Sequence, residues 1–406
     1  MWPGAPMRVY PGWTAFGGGG MAEVLLDDVS HVYPDGTSAV SHLTLHVRHA
    51  EVMVLVGPSG CGKSTVLRLI AGLEPLSGGD VSIGGRVVTG LPSWERDIAM
   101  VFETGALYPH LTASDNLGFG LALRKLPEQE IEQRVGAESR VLRIDRLLNR
   151  KPGTLSAGQR QRVAVGRATV RVPKVFLLDE PLTHLDAAER IRLRAEFAAL
   201  QRGLDVTAIY VTHDQSQAMA IGDRVAVMRA GRIEQVAEPL VLYRRPANTF
   251  VASFLGEPAM CLLAGRLEAD DDRAWVVLGR QRLPFPGRPT GLLRSRVGGP
   301  VVVGIRPEHV SDADEVPGSP AVLFATAETV EYLGSHQLIG CPLDTTAITV
   351  AEDPGAGAQR PSPAVLVARL PGTSRIRRGD RVELAIAMTK LSFFDPVTGQ
   401  ALWNPA

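Results

Sequence analysis

The octapeptide Gly57-Pro58-Ser59-Gly60-Cys61-Gly62-Lys63-Ser64 constrains this chain more than any other segment. It follows the apolar run Val52-Met53-Val54-Leu55-Val56 and precedes the helical pattern Thr65-Val66-Leu67-Arg68-Leu69-Ile70-Ala71. Strand, glycine loop and helix, with Lys and Ser closing the loop, is the arrangement of a phosphate-binding loop. Its glycines let successive backbone N–H groups turn inward onto anionic oxygens, where a β-carbon would obstruct. A helix that begins at Lys63 adds the positive end of its dipole to the same spot. Lys63 then reaches the outer phosphates, Thr65 joins the phosphate-binding set, and the Ser64 hydroxyl can ligate Mg²⁺.

A second constellation lies downstream. Leu155-Ser156-Ala157-Gly158-Gln159 stands shortly before the apolar strand Val175-Phe176-Leu177-Leu178, which ends in Asp179-Glu180. A further apolar strand, Ala208-Ile209-Tyr210-Val211-Thr212, ends in His213-Asp214. With the phosphate loop, these motifs resemble the ATP-binding-cassette family, and within it the ATPase subunits of carbohydrate importers of the maltose-transporter type. The resemblance runs from Met21 to the C-terminus. It implies an α/β phosphate-loop cassette with a helical subdomain, followed by a small all-β regulatory domain like an oligonucleotide-binding fold. It also implies ATP and Mg²⁺ as cofactors.

A chain of 406 residues is too long for one ordinary domain. The expected division is a disordered extension over 1–20, a nucleotide-binding domain over 21–245 and a β-rich domain over 246–406. Lys plus Arg equal Asp plus Glu at 43 each. That balance argues against a general nucleic-acid binder, which carries a basic surplus. Cys61, Cys261 and Cys341 are far apart, with neither disulfide-framework nor metal-ligand spacing. They fit a reduced cytosolic protein. Cys61 lies beside a helix N-terminus, where a thiolate could be favoured. No apolar run approaches a membrane span, and the first residues lack the features of a secretion signal. They end in Gly17-Gly18-Gly19-Gly20, a low-complexity composition. Relatives usually begin near Met21-Ala22-Glu23, so Met21 is the expected natural start. Membrane association is expected through partner subunits, at the cytoplasmic face.

Residues from about 21 to 100 read as strands and turns around the loop. Val24-Leu25-Leu26 and Leu43-Thr44-Leu45 are strands, and Pro34-Asp35-Gly36 is a turn between them. From about 104 to 172 the pattern turns helical, with Ile131-Glu132-Gln133-Arg134-Val135 and Val141-Leu142-Arg143-Ile144 at amphipathic spacing. From Val175 to Ile233 strands alternate with helices, as in a parallel α/β sheet. After about Pro246, short strands such as Ala274–Leu278, Val301–Ile305 and Val382–Ile386 are separated by Gly and Pro. Glu352-Asp353-Pro354-Gly355-Ala356-Gly357 reads as a mobile loop.

Asp179 ends a buried strand, so its carboxylate can reach Mg²⁺ directly or through water. The resemblance makes Glu180 the general base that polarises the attacking water, and His213 the contact to the γ-phosphate that holds the base in position. Tyr33 is either the aromatic that stacks on adenine or a core tyrosine. Ser156, Ala157, Gly158 and Gln159 open another helix N-terminus suited to phosphate. In the family this helix closes over ATP held by a second cassette, and Thr183-His184-Leu185-Asp186 crosses the dimer seam.

Some positions depart from the family. Glu103, in Val101-Phe102-Glu103, replaces a Gln that touches Mg²⁺ or the attacking water, and as a nearly isosteric anion it could ligate Mg²⁺ more strongly while adding negative charge beside the triphosphate. In a partly buried site its charge would cost a few kcal/mol, on the order of a hundredfold in rate. Ala157 replaces a Gly, at a cost of roughly 1 kcal/mol if positive φ is required. Gly105 stands where relatives carry a Tyr, in the groove that receives a permease helix. His184 replaces a small or amide residue.

Gly304-Ile305-Arg306-Pro307-Glu308-His309 and Leu391-Ser392-Phe393-Phe394-Asp395-Pro396-Val397-Thr398-Gly399-Gln400 resemble segments of the importers' regulatory domain. Read physically, they are strands leaving into turns with solvated charges. The implied assembly is a homodimer of ATPase subunits with two permease subunits, fed by an extracytoplasmic solute-binding protein, without nucleic acid. The implied cargo is a sugar or related solute. The alternatives are another small solute, a weakly hydrolysing regulatory cassette, and a soluble cassette ATPase of translation or repair. The last usually has two cassettes or long coiled coils, and this chain has neither.

Overall fold

The strands expected around the Val52 run and near Met21 form in the computed structural model of the chain, where they divide between two sheets. It describes residues 22–183, 185–204, 206–352 and 362–402. The expectations for residues 1–20, for His184 and for most of the Glu352–Gly357 loop lie outside the described residues. The chain divides into two compact units, Met1–Pro239 and Leu240–Ala406.

The first unit begins with β1 (Val24–Val32), β2 (Ser38–Val47), β3 (Val52–Val56), α1 (Lys63–Ala71), β4 (Gly78–Ile83), β5 (Arg86–Val87) and β6 (Ile98–Val101). The helical stretch follows as α2 (Ala113–Leu123), α3 (Glu128–Val141) and α4 (Ala157–Thr169). Then come β7 (Val175–Asp179), α5 (Ala187–Leu204), β8 (Thr207–Thr212), α6 (Gln215–Ile221), β9 (Arg224–Arg229) and β10 (Arg232–Ala237). Strands β2-β1-β4-β5 form an antiparallel sheet. The other sheet has the order β10-β9-β3-β8-β7-β6, parallel except for β10. Every residue of β3, β7 and β8 is buried. Burial on both faces explains why these strands read as unbroken apolar runs. The carboxyl ends of β3, β8 and β7 are adjacent, and ligands of open α/β sheets bind at such ends.

The helical stretch departs from expectation at one point. α3 stops at Val141, and Arg143 takes φ 56°, so Val141–Ile144 is a helix exit and not a second helix. Its apolar residues serve the core all the same, since Leu142 and Ile144 are buried.

α3 also buries a carboxyl. Glu138 is 1% exposed and accepts a hydrogen bond from Thr169 of α4. Its Oε2 has no partner among the described residues. Burial pushes its pKa up to about 7 from an ordinary 4.5. The folded chain therefore holds a proton that the unfolded chain has already released, and stability falls as pH rises from 4.5 to about 7. The loss is on the order of 3 kcal/mol. Glu138→Gln should flatten this decline, measured as thermal midpoints of both proteins at pH 5 and pH 8. Parallel pH dependences in the two proteins would refute the assignment.

The second unit is mostly β. It contains α7 (Pro239–Arg244), α8 (Thr249–Phe254), β11 (Cys261–Ala269), β12 (Ala274–Leu278), β13 (Gln281–Phe285), α9 (Gly291–Arg294) and β14 (Pro300–Ile305). It continues through β15 (Val310–Asp312), β16 (Val322–Thr326), β17 (Thr329–Tyr332), β18 (His336–Ala347), β19 (Ser362–Pro371), β20 (Arg381–Ile386) and β21 (Ser392–Phe394). The path β13-β12-β11-β14-β21 is extended by β17-β18-β19, and β15-β20-β16 form a separate sheet. In β19, Ala364, Leu366, Ala368 and Leu370 alternate into the core, as a half-buried strand requires.

The expected solvation of charges near the two regulatory-domain motifs is corrected here. Arg306 is 2% exposed. Its guanidinium donates to the carbonyls of Leu255 (2.8 Å) and Tyr243 (2.6 Å) and lies 3.5 Å from the Tyr243 ring centroid. Carbonyl acceptors and an aromatic face offset the loss of water around the cation. Asp395 is buried too and pairs with Arg296.

Candidate active site

The loop after β3 is held by its own lysine. Lys63 is buried, and its Nζ donates to the carbonyls of Gly57 (2.8 Å) and Pro58 (2.7 Å). Gly62 has φ 103°, a conformation that favours glycine, and a β-carbon there would collide with the carbonyl of Ala39. α1 has no side-chain cap, whereas α2 and α4 each carry a capping box. The first N–H groups of any α-helix lack partners within it. At Lys63, Ser64 and Thr65 they remain for an anion, and Ser59 and Gly60 are exposed on the same loop.

The idea of a favoured thiolate at Cys61 is overturned. Cys61 is buried, and desolvation raises its pKa despite nearby Lys63. Tyr33 is half-buried. Its hydroxyl lies 3.0 Å from Thr65 Oγ1 and its ring meets His31 edge-on, with centroids 4.6 Å apart.

Ser64 Oγ donates to Asp179 Oδ1 at 2.7 Å, which joins α1 to the end of β7. Burial raises the Asp179 pKa, opposed by the Ser64 hydrogen bond and by Arg68. A hydroxyl and a carboxylate side by side are hard oxygen donors. They suit Mg²⁺, which takes few protein ligands beside phosphate and water. Glu180 follows with φ 45°, unusual for a residue with a side chain. Its N–H donates to the Val211 carbonyl at 3.0 Å, so the turn stays tied to β8. Its Oε2 lies 2.7 Å from His213 Nδ1 and accepts from Thr183 Oγ1 at 3.0 Å. A carboxylate held on two sides is oriented for work on a proton, and the other imidazole nitrogen is left for a further contact.

A second group of predicted residues surrounds the start of α4. Ser156 Oγ accepts from the Gln159 N–H (3.3 Å), and Gln159 Oε1 accepts from the Ser156 N–H (3.0 Å). The Ser156 hydroxyl proton is not used by this cap. Ala157 is the first residue of α4 and is absent from the positive-φ positions, so the strain considered for it does not arise. Asp186 Oδ1 accepts from the Glu189 N–H (2.8 Å) and thereby caps α5. Gly158 is buried beneath the Glu189 carboxylate.

Glu103 follows β6, the neighbour of β7, and is exposed rather than partly buried. Water screens its charge, so the repulsion of a few kcal/mol argued for a partly buried site is too large. Gly105 has φ 73°, where a tyrosine would be strained. Arg167 donates to the carbonyls of Gly105 (3.0 Å) and Ala106 (2.7 Å) and fixes this turn.

Sequence reasoning did not assign roles to Thr183 as a partner of Glu180, to Arg68 near Asp179, or to Glu189 over Gly158. Thr183 had a local signal, an i+3 hydroxyl after an acid at a strand end. The other two are contacts between distant elements.

Comparison with known proteins shows the family of the chain. The profile described as "ABC transporter" matches residues 40–183, "MalK OB fold domain" matches 256–310 and "TOBE domain" matches 303–365. The trehalose/maltose import ATP-binding protein MalK of Thermococcus litoralis is 46% identical over 396 residues, covering 94% of this chain and 100% of that one. The sn-glycerol-3-phosphate import ATP-binding protein UgpC 3 of Agrobacterium fabrum is 44% identical over 376 residues, covering 92% and 98%. Among solved structures, the ATP-binding cassette MJ0796, a dimer bound to ADP and Pi in a post-hydrolysis state, aligns with TM-score 0.50 and 30% identity. That alignment covers 53% of this chain and 98% of that one. No helix among the described residues is long and apolar enough to cross a membrane.

Proposed function

Since the chain belongs to the ABC transporter family and is an ATP-hydrolysing import subunit within it, we propose that it energises uptake of a sugar or polyol through two permease subunits. The unit ending at Pro239 is the motor and the unit from Leu240 to Ala406 the regulatory part. The chain works as a homodimer docked on the permease at the cytoplasmic face, and an extracytoplasmic solute-binding protein delivers the cargo. ATP lies on the Gly57–Ser64 loop, with Tyr33 beside its base. Lys63 leaves the Gly57 and Pro58 carbonyls for the phosphate oxygens, a stronger charge-assisted pairing. Ser64 and Asp179 would hold Mg²⁺, which when bound neutralises charge on the phosphate oxygens. Glu180 orients the attacking water and takes its proton, while His213 steadies Glu180 and faces the γ-phosphate. Ser156, Ala157, Gly158, Gln159 and Asp186 close over the ATP of the second copy.

The observation that carries this reading is the Glu180–His213 pair, 2.7 Å apart at the ends of adjacent strands. An acid and a histidine so joined beside a phosphate loop fit hydrolysis better than nucleotide binding alone. Steady-state Mg-ATP hydrolysis by the purified chain should give a specific activity that climbs with protein concentration, because the site needs two copies. Activity at the level of a Glu180→Gln blank, with ATP bound, would refute the reading. In the same assay Glu103→Gln should raise turnover only a few-fold, since an exposed charge is worth about 1 kcal/mol or less. An unchanged or lower turnover would show that the Glu103 charge does not slow the reaction.

A further inference from the structure

The Glu189 carboxylate lies against the start of α4. A β-carbon built on Gly158 would fall 2.7 Å from its Oε2 and 2.8 Å from its Oε1. Gly158 is the second residue of a helix of 13 residues, so a negative charge faces the positive end of that helix. It is not there as a cap. Ser156 and Gln159 already complete a capping box, and among the described residues no hydrogen bond or ion pair engages the Glu189 carboxylate. The cations beside it are directed elsewhere: Arg190 to Asp214 and the Leu185 carbonyl, Arg192 to Glu196. The backbone fixes its position, because the Glu189 N–H donates to Asp186 Oδ1 in the first turn of α5.

We propose that Glu189 is a positioning residue that weakens the ATP-bound dimer. Its charge acts through the N-terminus of α4, lowering that helix end's attraction for the phosphate presented by a second copy. The proposal rests on the two-copy site of the preceding section. Two anions then compete for one helix terminus: the Glu189 carboxylate, held in each chain, and the terminal phosphate, which arrives with the other copy. Like-charge repulsion between them makes closure of the dimer less favourable and its reopening faster. Gly158 contributes by leaving room for the carboxylate, since any larger residue would displace it.

The test compares the full chain carrying Glu180→Gln, which retains ATP, with the Glu180→Gln/Glu189→Gln double variant. Self-association is measured by sedimentation with Mg-ATP at low and high salt, and ATP binding is measured separately. Glutamine keeps the shape and removes the charge. The dimer should tighten about three- to tenfold at low salt, and the difference should shrink as salt screens the charge. Equal or weaker association in the double variant, or a gain indifferent to salt, overturns the proposal while the two-copy site stands. If both proteins bind ATP and neither associates, the two-copy site itself fails and this proposal with it.

Discussion

Replacing Glu180 with glutamine should lower the hydrolysis rate by on the order of 10²- to 10⁴-fold and leave ATP binding nearly intact. The side chain keeps its size and loses only its capacity to take a proton. The geometry around it is specialised for that capacity. The φ of 45° at Glu180 is a backbone cost that the end of an ordinary strand does not carry. It turns the carboxylate toward His213 and Thr183, each within hydrogen-bonding distance. A glutamine would satisfy Thr183 as an acceptor yet could not serve as a base. Single-turnover hydrolysis and nucleotide binding, measured on the same protein, separate the two effects. A variant that hydrolyses within threefold of the parent would remove Glu180 as the base. His213→Ala should fall between the two, because it loosens the base without removing it.

The roles of these two residues came from the family resemblance, and their place in the fold was legible because each follows a buried parallel strand. A strand of that kind declares itself as an unbroken apolar run, and the residue after it stands at the carboxyl edge of the sheet where ligands bind. The phosphate loop was legible for the same reason, with glycine spacing added. β12 was also read over its full length, Ala274–Leu278, because a turn bounds it on each side. What was missed depends on tertiary contacts that carry no local signal. Nothing beside Arg306 indicates that Tyr243 and the Leu255 carbonyl will enclose it. The end of α3 turns on Arg143 adopting a left-handed conformation, which usually calls for glycine or asparagine. The Cys61 thiol faces a packed interior even though its loop is a site for anions, so proximity to a helix N-terminus misjudged its acidity. Glu103 and Glu189 show the same limit in opposite directions. One acid that sequence placed at the chemistry is exposed, and another that sequence passed over lies against the start of α4.

Lys63→Ala should fail at an earlier step than Glu180→Gln, with ATP affinity reduced by about 10- to 100-fold. A hydrogen bond to a charged group contributes about 1.5–3 kcal/mol, and that range sets the expected loss. Lys63 has two partnerships to surrender. Without nucleotide its ammonium ties the Gly57 and Pro58 carbonyls together at 2.8 and 2.7 Å, which keeps the loop folded over its own charge. With nucleotide the same ammonium is expected to turn to the phosphate oxygens. Alanine abolishes both, and two carbonyls lose their shared donor. Arginine should not rescue it, because the lysine slot is 5% exposed and a planar fork is wider than an ammonium. Titration with a fluorescent ATP analogue, with thermal midpoints in the absence of nucleotide, distinguishes the two losses. Reduced affinity with an unchanged midpoint assigns the effect to the phosphates, and a lowered midpoint assigns part of it to the loop. Wild-type affinity in Lys63→Ala would mean that the backbone N–H groups and the start of α1 hold the triphosphate unaided.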